Sequence, residues 1–402
     1  MVRPLDGLRV VDFSRVLAAP LATQILAELG ADVIKIERPG GGDETRAFEP
    51  RVGSESAYFF AFNRGKRSVV LDLKTDVGRD RARSLADGAD VVVENFVPGT
   101  MERLGLGYDV LSRSNPRLVY VAACGFDRTG PEAGRKGYDT IFQALSGIMD
   151  LTGHPGGPPA KAGVPIADMT TGLWIAIGVL TGLAGRGLSG RGTFVDITMM
   201  DVQTSLLALA AGRVFALDED PSRVGTAHPG RVPSEAFECT DGWVQISGSD
   251  QHWAPLCEAL GLDDLGTDPL LRTNSGRLEH RDEIGERLRK AFAALTREEA
   301  LRRLGRAGVP AGEVRTAREA LDAARTGPRP MVGTFRHPVV GEFPALRTPI
   351  AFHGYDAPEP APPPVLGAHT DEVLAELDAA RDDPPADGDD PATEDATTRS
   401  DP

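Results

Sequence analysis

The first half of the chain alternates short apolar runs with longer stretches in which apolar positions recur at helical spacing. LRVVDFS (8–14) reads as a buried strand, RVLAAPLATQILAELGA as a helix stopped by Gly30, and VIKIE (33–37) as a second strand. Strand–helix–strand is the unit of a parallel sheet. The pattern continues through SVVLDLK (68–74), a polar helix over 76–87, VVVENF (91–96), a helical stretch to Asn115, LVYVAACG (118–125) and TFVDITMMD (193–201). This alternation predicts an α/β fold with a doubly wound large domain.

Between the last two strands lies an apolar segment, Leu173 to Leu183, with almost no polar side. It predicts a helix buried on most of its circumference. Asp168 stands a few residues ahead of it. A carboxylate there is either a helix cap or a reactive group, and capping is the commoner role. A cap position at a helix N-terminus would also favour the ionised form.

After residue 217 the texture changes. Residues 218–234 are rich in Pro, Gly and charge and read as a linker; 235–330 hold short strands and amphipathic helices, a smaller α/β domain. Residues 331–377 are Pro-rich and then helical, a return to the large domain formed by 1–217. Residues 378–402 are acidic and Pro-rich without aromatics, the composition of a disordered tail.

Composition narrows the function. The 402 residues carry a net charge of −15, part of it in the tail, which argues against a nucleic-acid partner. The three cysteines are odd in number and far apart, so no disulfide framework is implied. Asp12 interrupts the first apolar run, and 173–183 is short for a bilayer span, so neither a leader nor a membrane partner is expected and a cytoplasmic location is.

Glu37 closes the second strand where a ribose-binding acid would sit, but the first turn, FSRVLAAP, contains no glycine. A dinucleotide pyrophosphate needs close backbone approach there, so NAD(P) is disfavoured. No histidine pair or cysteine pair has metal-site spacing, and no metal is expected. Arg38, Arg64, Lys66, Arg67, Lys74 and Arg103 flank successive strands. They read either as solvated surface charge or, gathered at one end of the sheet, as a site for a polyanion.

Taken in order, LRVVDFS, ADVIKIERPGGGD, NRGKRSVVLDLK, VVVENFVPGTMERLGL, GYDTIFQALSG, GVPIADMTTG and, later, AGVPAGEV and LGAHTDEVLAEL resemble the class III coenzyme A transferases. That family includes formyl-CoA transferase and the carnitine CoA-transferases, with 2-methylacyl-CoA racemase as a relative. The resemblance implies a Rossmann-like large domain with an inserted small domain, in two subunits interlocked like links. It implies an aspartyl nucleophile at Asp168. It also implies CoA contacts at Arg38, Leu71, Leu73, Lys74, Arg103, Leu104, Lys136, Gly137 and Tyr138. Coenzyme A thioester would be a substrate, with no permanently bound cofactor, and a carboxylic acid the acceptor.

The racemase branch has a histidine where this chain has Tyr138, and an unperturbed tyrosine is a poor base at neutral pH. The resemblance therefore favours transfer, with a racemase, a non-catalytic CoA-binding relative and an NAD(P)-linked oxidoreductase as the alternatives. Leu17 replaces the glutamine of formyl-CoA transferase, and GTAHPGRVPSEAF lacks that enzyme's glycine run. Both departures point away from formyl-CoA and oxalate, and the TAHP form resembles relatives that use succinyl-CoA with dicarboxylic or hydroxy acids, which implies a succinyl-CoA donor.

Overall fold

The structure is a computed structural model that describes residues 2–355 and 360–382. Six parallel strands form the central sheet: β1 (Arg9–Asp12), β2 (Asp32–Glu37), β3 (Arg67–Val70), β4 (Val91–Glu94), β5 (Val119–Cys124) and β6 (Thr193–Thr198). Their spatial order is β3-β2-β1-β4-β5-β6, with Val10 of β1 in register with Val33 on one side and Val91 on the other. The order reverses at β1, which opens a crevice at the carboxyl ends of β1 and β4.

Successive strand residues face opposite ways, and both faces are covered. Val10, Val33, Val91, Val93, Val119 and Val121 pack beneath the helices α1 (Ala18–Glu28) and α3 (Ile166–Ser189). Val11, Ile34, Val69, Val92 and Tyr120 pack on the other side, against Ala82 and Leu85, Leu111, and Val373 of the last helix. That helix, Thr370–Asp382, extends into the segment expected to be a tail; 383–402 lie outside the described residues.

Residues 234–313 build a separate antiparallel sheet from Ser234–Cys239, Gly242–Ser247 and Ala311–Glu313. Its core includes Phe237, Trp253, Leu256, Leu288 and Phe292. Beyond it, the hairpin Val332–His337/Gly341–Leu346 packs Phe335 and Phe343 edge-on against Phe60 of the first body.

Helix α3 departs from the sequence reading in two ways. It is 24 residues long, with a mean hydropathy of 1.5 in its most apolar window, enough in length and composition to cross a bilayer. Its packing against α1, β5 and β6 instead makes it a layer helix of the α/β body. It is also not buried all round. Ile175, Ala176 and Val179 face the sheet, whereas Leu173 (50% exposed), Trp174 and Ile177 face outward in the single chain. A groove of about 600 Å³ runs between this outer face and the edge strand β6.

Candidate active site

A cavity of about 270 Å³ opens at the carboxyl ends of β1 to β4. Phe13, Ile36, Leu71, Leu73, Phe96 and Leu104 supply apolar walls, and Arg38 and Lys74 stand exposed beside them. An apolar slot with two cations on its rim suits a flat ring carrying phosphates. Five of the sequence-expected contacts thus line one cavity: Arg38, Leu71, Leu73, Lys74 and Leu104. Arg103 adjoins it on the short helix Thr100–Arg103, hydrogen-bonded to Thr100 Oγ1 at 3.0 Å.

Lys136, Gly137 and Tyr138 do not line the cavity. They sit on the loop after β5, and the Tyr138 side chain is 79% exposed. Gly137 lets this loop cross the Phe142 ring, since a Cβ there would lie 2.7 Å from Phe142 Cζ.

The expected basic cluster is only partly at this edge. Arg64 is buried against Glu28 at 2.7 Å, Lys66 against Asp12 at 3.1 Å, and Arg67 pairs with Asp32, Glu372 and Glu376. All three precede or begin β3 rather than follow it, so they do not share the carboxyl edge with Lys74. Glu37 is also engaged: both its oxygens bind Arg46, and one accepts from Ser68 Oγ at 2.6 Å.

Asp168 is the third residue of α3, not its cap; Pro165 holds the cap position and offers no side-chain acceptor. The cap comes from Asp139, the first residue of α2 (Asp139–Leu145). One Asp139 oxygen accepts from the amides of Ala167 at 2.8 Å and Asp168 at 3.3 Å; the other accepts from Gln143 Nε2 at 2.6 Å. Among the described residues the Asp168 carboxylate has no hydrogen bond or ion pair. Burial first, and then the Asp139 charge, push it up to about 7. The inference that a cap position keeps Asp168 ionised is therefore reversed: a neighbouring acid takes the cap and makes ionisation harder.

The approach of α3 to α1 fixes where Asp168 stands. Gly172, one turn on and on the same helix face, lies so close to α1 that an added Cβ would be 2.5 Å from the Ala18 carbonyl oxygen. Asp168 stands one turn before this contact on the same face of α3, and Ala18 opens α1 just after the turn whose Ser14 and Arg15 line the cavity. Gly172→Ala is expected to cost about 1–3 kcal/mol through this clash with backbone. Denaturant unfolding checks it, and an unchanged midpoint would show that the helices can part freely.

Sequence reasoning missed Asp139 and Tyr58. The Tyr58 hydroxyl is raised by burial first and then by the charges of Asp168, Asp139 and Asp43. Spacing could not reveal either residue, because 29 positions separate Asp139 from Asp168 and many more separate Tyr58 from both. The Gly/Pro-rich loop ahead of α3 is tied at both ends. Gly225 N–H donates to the Gly153 carbonyl at 2.9 Å, and Ala162 N–H donates to Gln143 Oε1 at 2.8 Å.

A doubly wound sheet with an apolar, cation-rimmed cavity at its switch point, in a fold that also holds a half-buried carboxylate without a partner among the described residues, defines the class of an α/β protein built to take a phosphate-bearing ligand. Residues 5–370 match the family model described as CoA-transferase family III, and the chain belongs to that family. It is 36% identical over 378 residues to succinyl-CoA:glutarate CoA-transferase of Mus musculus, covering 94% of this chain and 87% of the relative. It is 38% identical to acetyl-CoA:oxalate CoA-transferase of Acetobacter aceti, covering 89% of this chain and 92% of the relative. Among solved structures, a CAIB/BAIF family protein from Brucella suis superposes with a TM-score of 0.83 at 39% identity, over 94% of this chain and all of that one. The protein is a class III CoA-transferase, using CoA thioesters as substrates.

Proposed function

We propose that this enzyme moves CoA from succinyl-CoA to a dicarboxylic acid through a covalent intermediate on Asp168. The observation that carries this is the Asp168 carboxylate: partly buried, without a hydrogen bond or ion pair among the described residues, and one turn from Gly172, where α3 meets the start of α1. The dicarboxylate acceptor is supported by relatives named for glutarate and oxalate. The latter name keeps oxalate among the acceptors to be tested.

CoA would lie in the cavity, its phosphates at Arg38, Lys74 and Arg103 and its adenine against Leu71 and Leu73; Lys136 to Tyr138 would close over it. An Asp168 oxygen attacks the donor thioester carbonyl; the C–S bond breaks and CoA leaves as thiolate, giving a mixed anhydride. The thiolate then attacks the Asp168 carbonyl carbon, the anhydride C–O bond breaks, and the donor acid departs as carboxylate. The acceptor carboxylate reverses both steps and restores Asp168. Burial that disfavours the Asp168 anion disfavours neither the uncharged anhydride nor the thioester, so the first covalent step relieves a cost of the resting site. A proton-transfer role for Asp139 is disfavoured because both its oxygens are occupied.

Mass spectrometry after incubation with succinyl-CoA tests this reading. A CoA adduct is expected on the peptide carrying Asp168 and is absent from Asp168→Ala; full transfer activity without any adduct would sink it.

The family resemblance also leads us to propose an interlocked homodimer whose second copy covers Leu173, Trp174 and Ile177 of α3 and the open edge of β6. Light scattering is expected to give twice the 42.7 kDa chain mass, and Ile177→Asp to lower it. A monomeric wild type at micromolar concentration would refute the dimer.

A further inference from the structure

A cluster of buried charges forms the floor of the cavity: Lys35, Glu37 and Asp43 line it, and Asp12 and Lys66 pack behind them. Asp12, Lys35, Glu37, Asp43 and Lys66 are all essentially without solvent contact. Burial, the largest single influence, would raise the Asp43 carboxyl, but Lys35 and the hydrogen bonds from Thr45 together hold the group below the usual carboxylate range. Apolar residues of similar volume are often at least as stabilising as buried ion pairs, so stability alone gives no reason for this arrangement.

What the buried charges hold is one turn, Ser14 to Val16. The Ser14 amide donates to Asp12 at 2.8 Å, and the Ser14 carbonyl accepts from Lys35 Nζ at 2.8 Å. The same Nζ stands 3.0 Å from Asp43 Oδ2 as an ion pair. Asp43 Oδ1 accepts from the Val16 amide at 3.4 Å and from Thr45. Opposite, Asn95 clamps Arg15 reciprocally: the Arg15 amide donates to Asn95 Oδ1, and Asn95 Nδ2 donates to the Arg15 carbonyl, both at 2.8 Å.

All these contacts surround a residue in the wrong region of backbone space. Val16 has φ +68°, a left-handed conformation that a β-branched side chain adopts only when its surroundings over-determine it. The turn is also a bridge. Ser14 and Arg15 line the cavity on one side, and on the other the chain enters α1 at Ala18, against Gly172 and one turn from Asp168.

We propose that Lys35 and Asp43 are positioning residues for CoA transfer: their buried pair holds the Ser14–Val16 turn left-handed, and that turn sets the span between a thioester in the cavity and Asp168. The proposal rests on the reading of Asp168 as nucleophile and of the cavity as the CoA site. Neither residue need touch the reacting atoms. Both act through the backbone between the two halves of the site.

The test is the double variant Lys35→Met/Asp43→Asn, which removes both charges together and leaves neither unpaired inside. Expected is a fall in kcat of about 10- to 100-fold from the displaced bridge. The KM for succinyl-CoA is expected to change far less, because Lys35 and Asp43 reach the cavity only at its buried floor and Arg38, Leu71, Leu73, Lys74 and Leu104 remain. Adding Val16→Gly is expected to recover much of the lost kcat, since glycine adopts positive φ freely and the turn no longer needs enforcing. Unchanged kcat, or a loss shared equally by kcat and KM that glycine does not rescue, would overturn the proposal. Should the double variant not fold, Asn95→Ala releases the turn from its other side without touching the buried charges, and the same split and rescue are expected; their absence refutes the idea. The two readings fail separately. A wild type that forms no adduct on Asp168 removes the nucleophile, whereas a wild-type adduct forming at the same rate in the variants removes only the positioning role.

Discussion

Replacing Asp168 by alanine is expected to lower kcat/KM for CoA transfer by at least about 10⁴-fold, the scale seen when a nucleophile is removed. Affinity for free CoA, measured by calorimetry, is expected to hold, because the cavity residues Leu71, Leu73, Lys74 and Arg38 lie on other segments. A variant that keeps transfer activity would assign the chemistry elsewhere. The stability effect has the opposite sign. Asp168 is pushed up from 3.8 to about 7 in the fold, so between those values the native state holds its proton more tightly than the unfolded chain. Wild-type stability contributed by this group therefore falls as pH rises through that window. Asp168→Asn lacks the slope, and its melting temperature is expected to exceed wild type by more at pH 8 than at pH 5. A constant difference would mean that the carboxyl is not raised.

Asp139 carries the second prediction. In the wild type the reactive carboxylate form of Asp168 is lost as pH falls through about 7, so kcat is expected to drop on that acid limb. Asp139→Asn removes the neighbouring charge and keeps an oxygen for the Ala167 and Asp168 amides. The acid limb is then expected to move to lower pH, and activity at pH 6 to rise relative to pH 8. Asp139→Ala removes the cap as well. It is expected to lose about 1 kcal/mol of stability, and about 10- to 100-fold in kcat from a loosened first turn. pH–rate profiles of the three enzymes decide the matter; a limb that stays put in Asp139→Asn would show that burial alone raises Asp168.

Much of this architecture is legible along the chain because it is local. Apolar runs of VVD, VIKI, SVV and VVV are short, β-branched and bounded by helix-period stretches, and each became a strand of the parallel sheet. The cavity was legible for the same reason: ligands of such sheets bind at strand carboxyl ends, and Arg38, Leu71, Leu73 and Lys74 follow strands directly. Arg64, Lys66 and Arg67 misled, because a linear reading sees a basic cluster beside a strand without seeing which end it occupies or which acids it meets. The outer face of α3 misled differently. Apolar residues all round a helix announce burial, but not whether the covering surface belongs to the same chain.

The sequence by itself determined the alternation of strands and helices, the family, and the candidate nucleophile, since periodicity and long ordered motifs need no third dimension. Only the tertiary structure decided how the acids divide their work. It brought Asp139 to the start of α3 as the cap, left the Asp168 carboxylate without a partner, and enclosed Lys35 and Asp43 around a left-handed Val16. Burial and charge proximity are properties of space rather than of spacing, and they turn a residue that reads as a helix cap into a half-buried carboxyl pushed up to about 7 beside a second acid that does the capping.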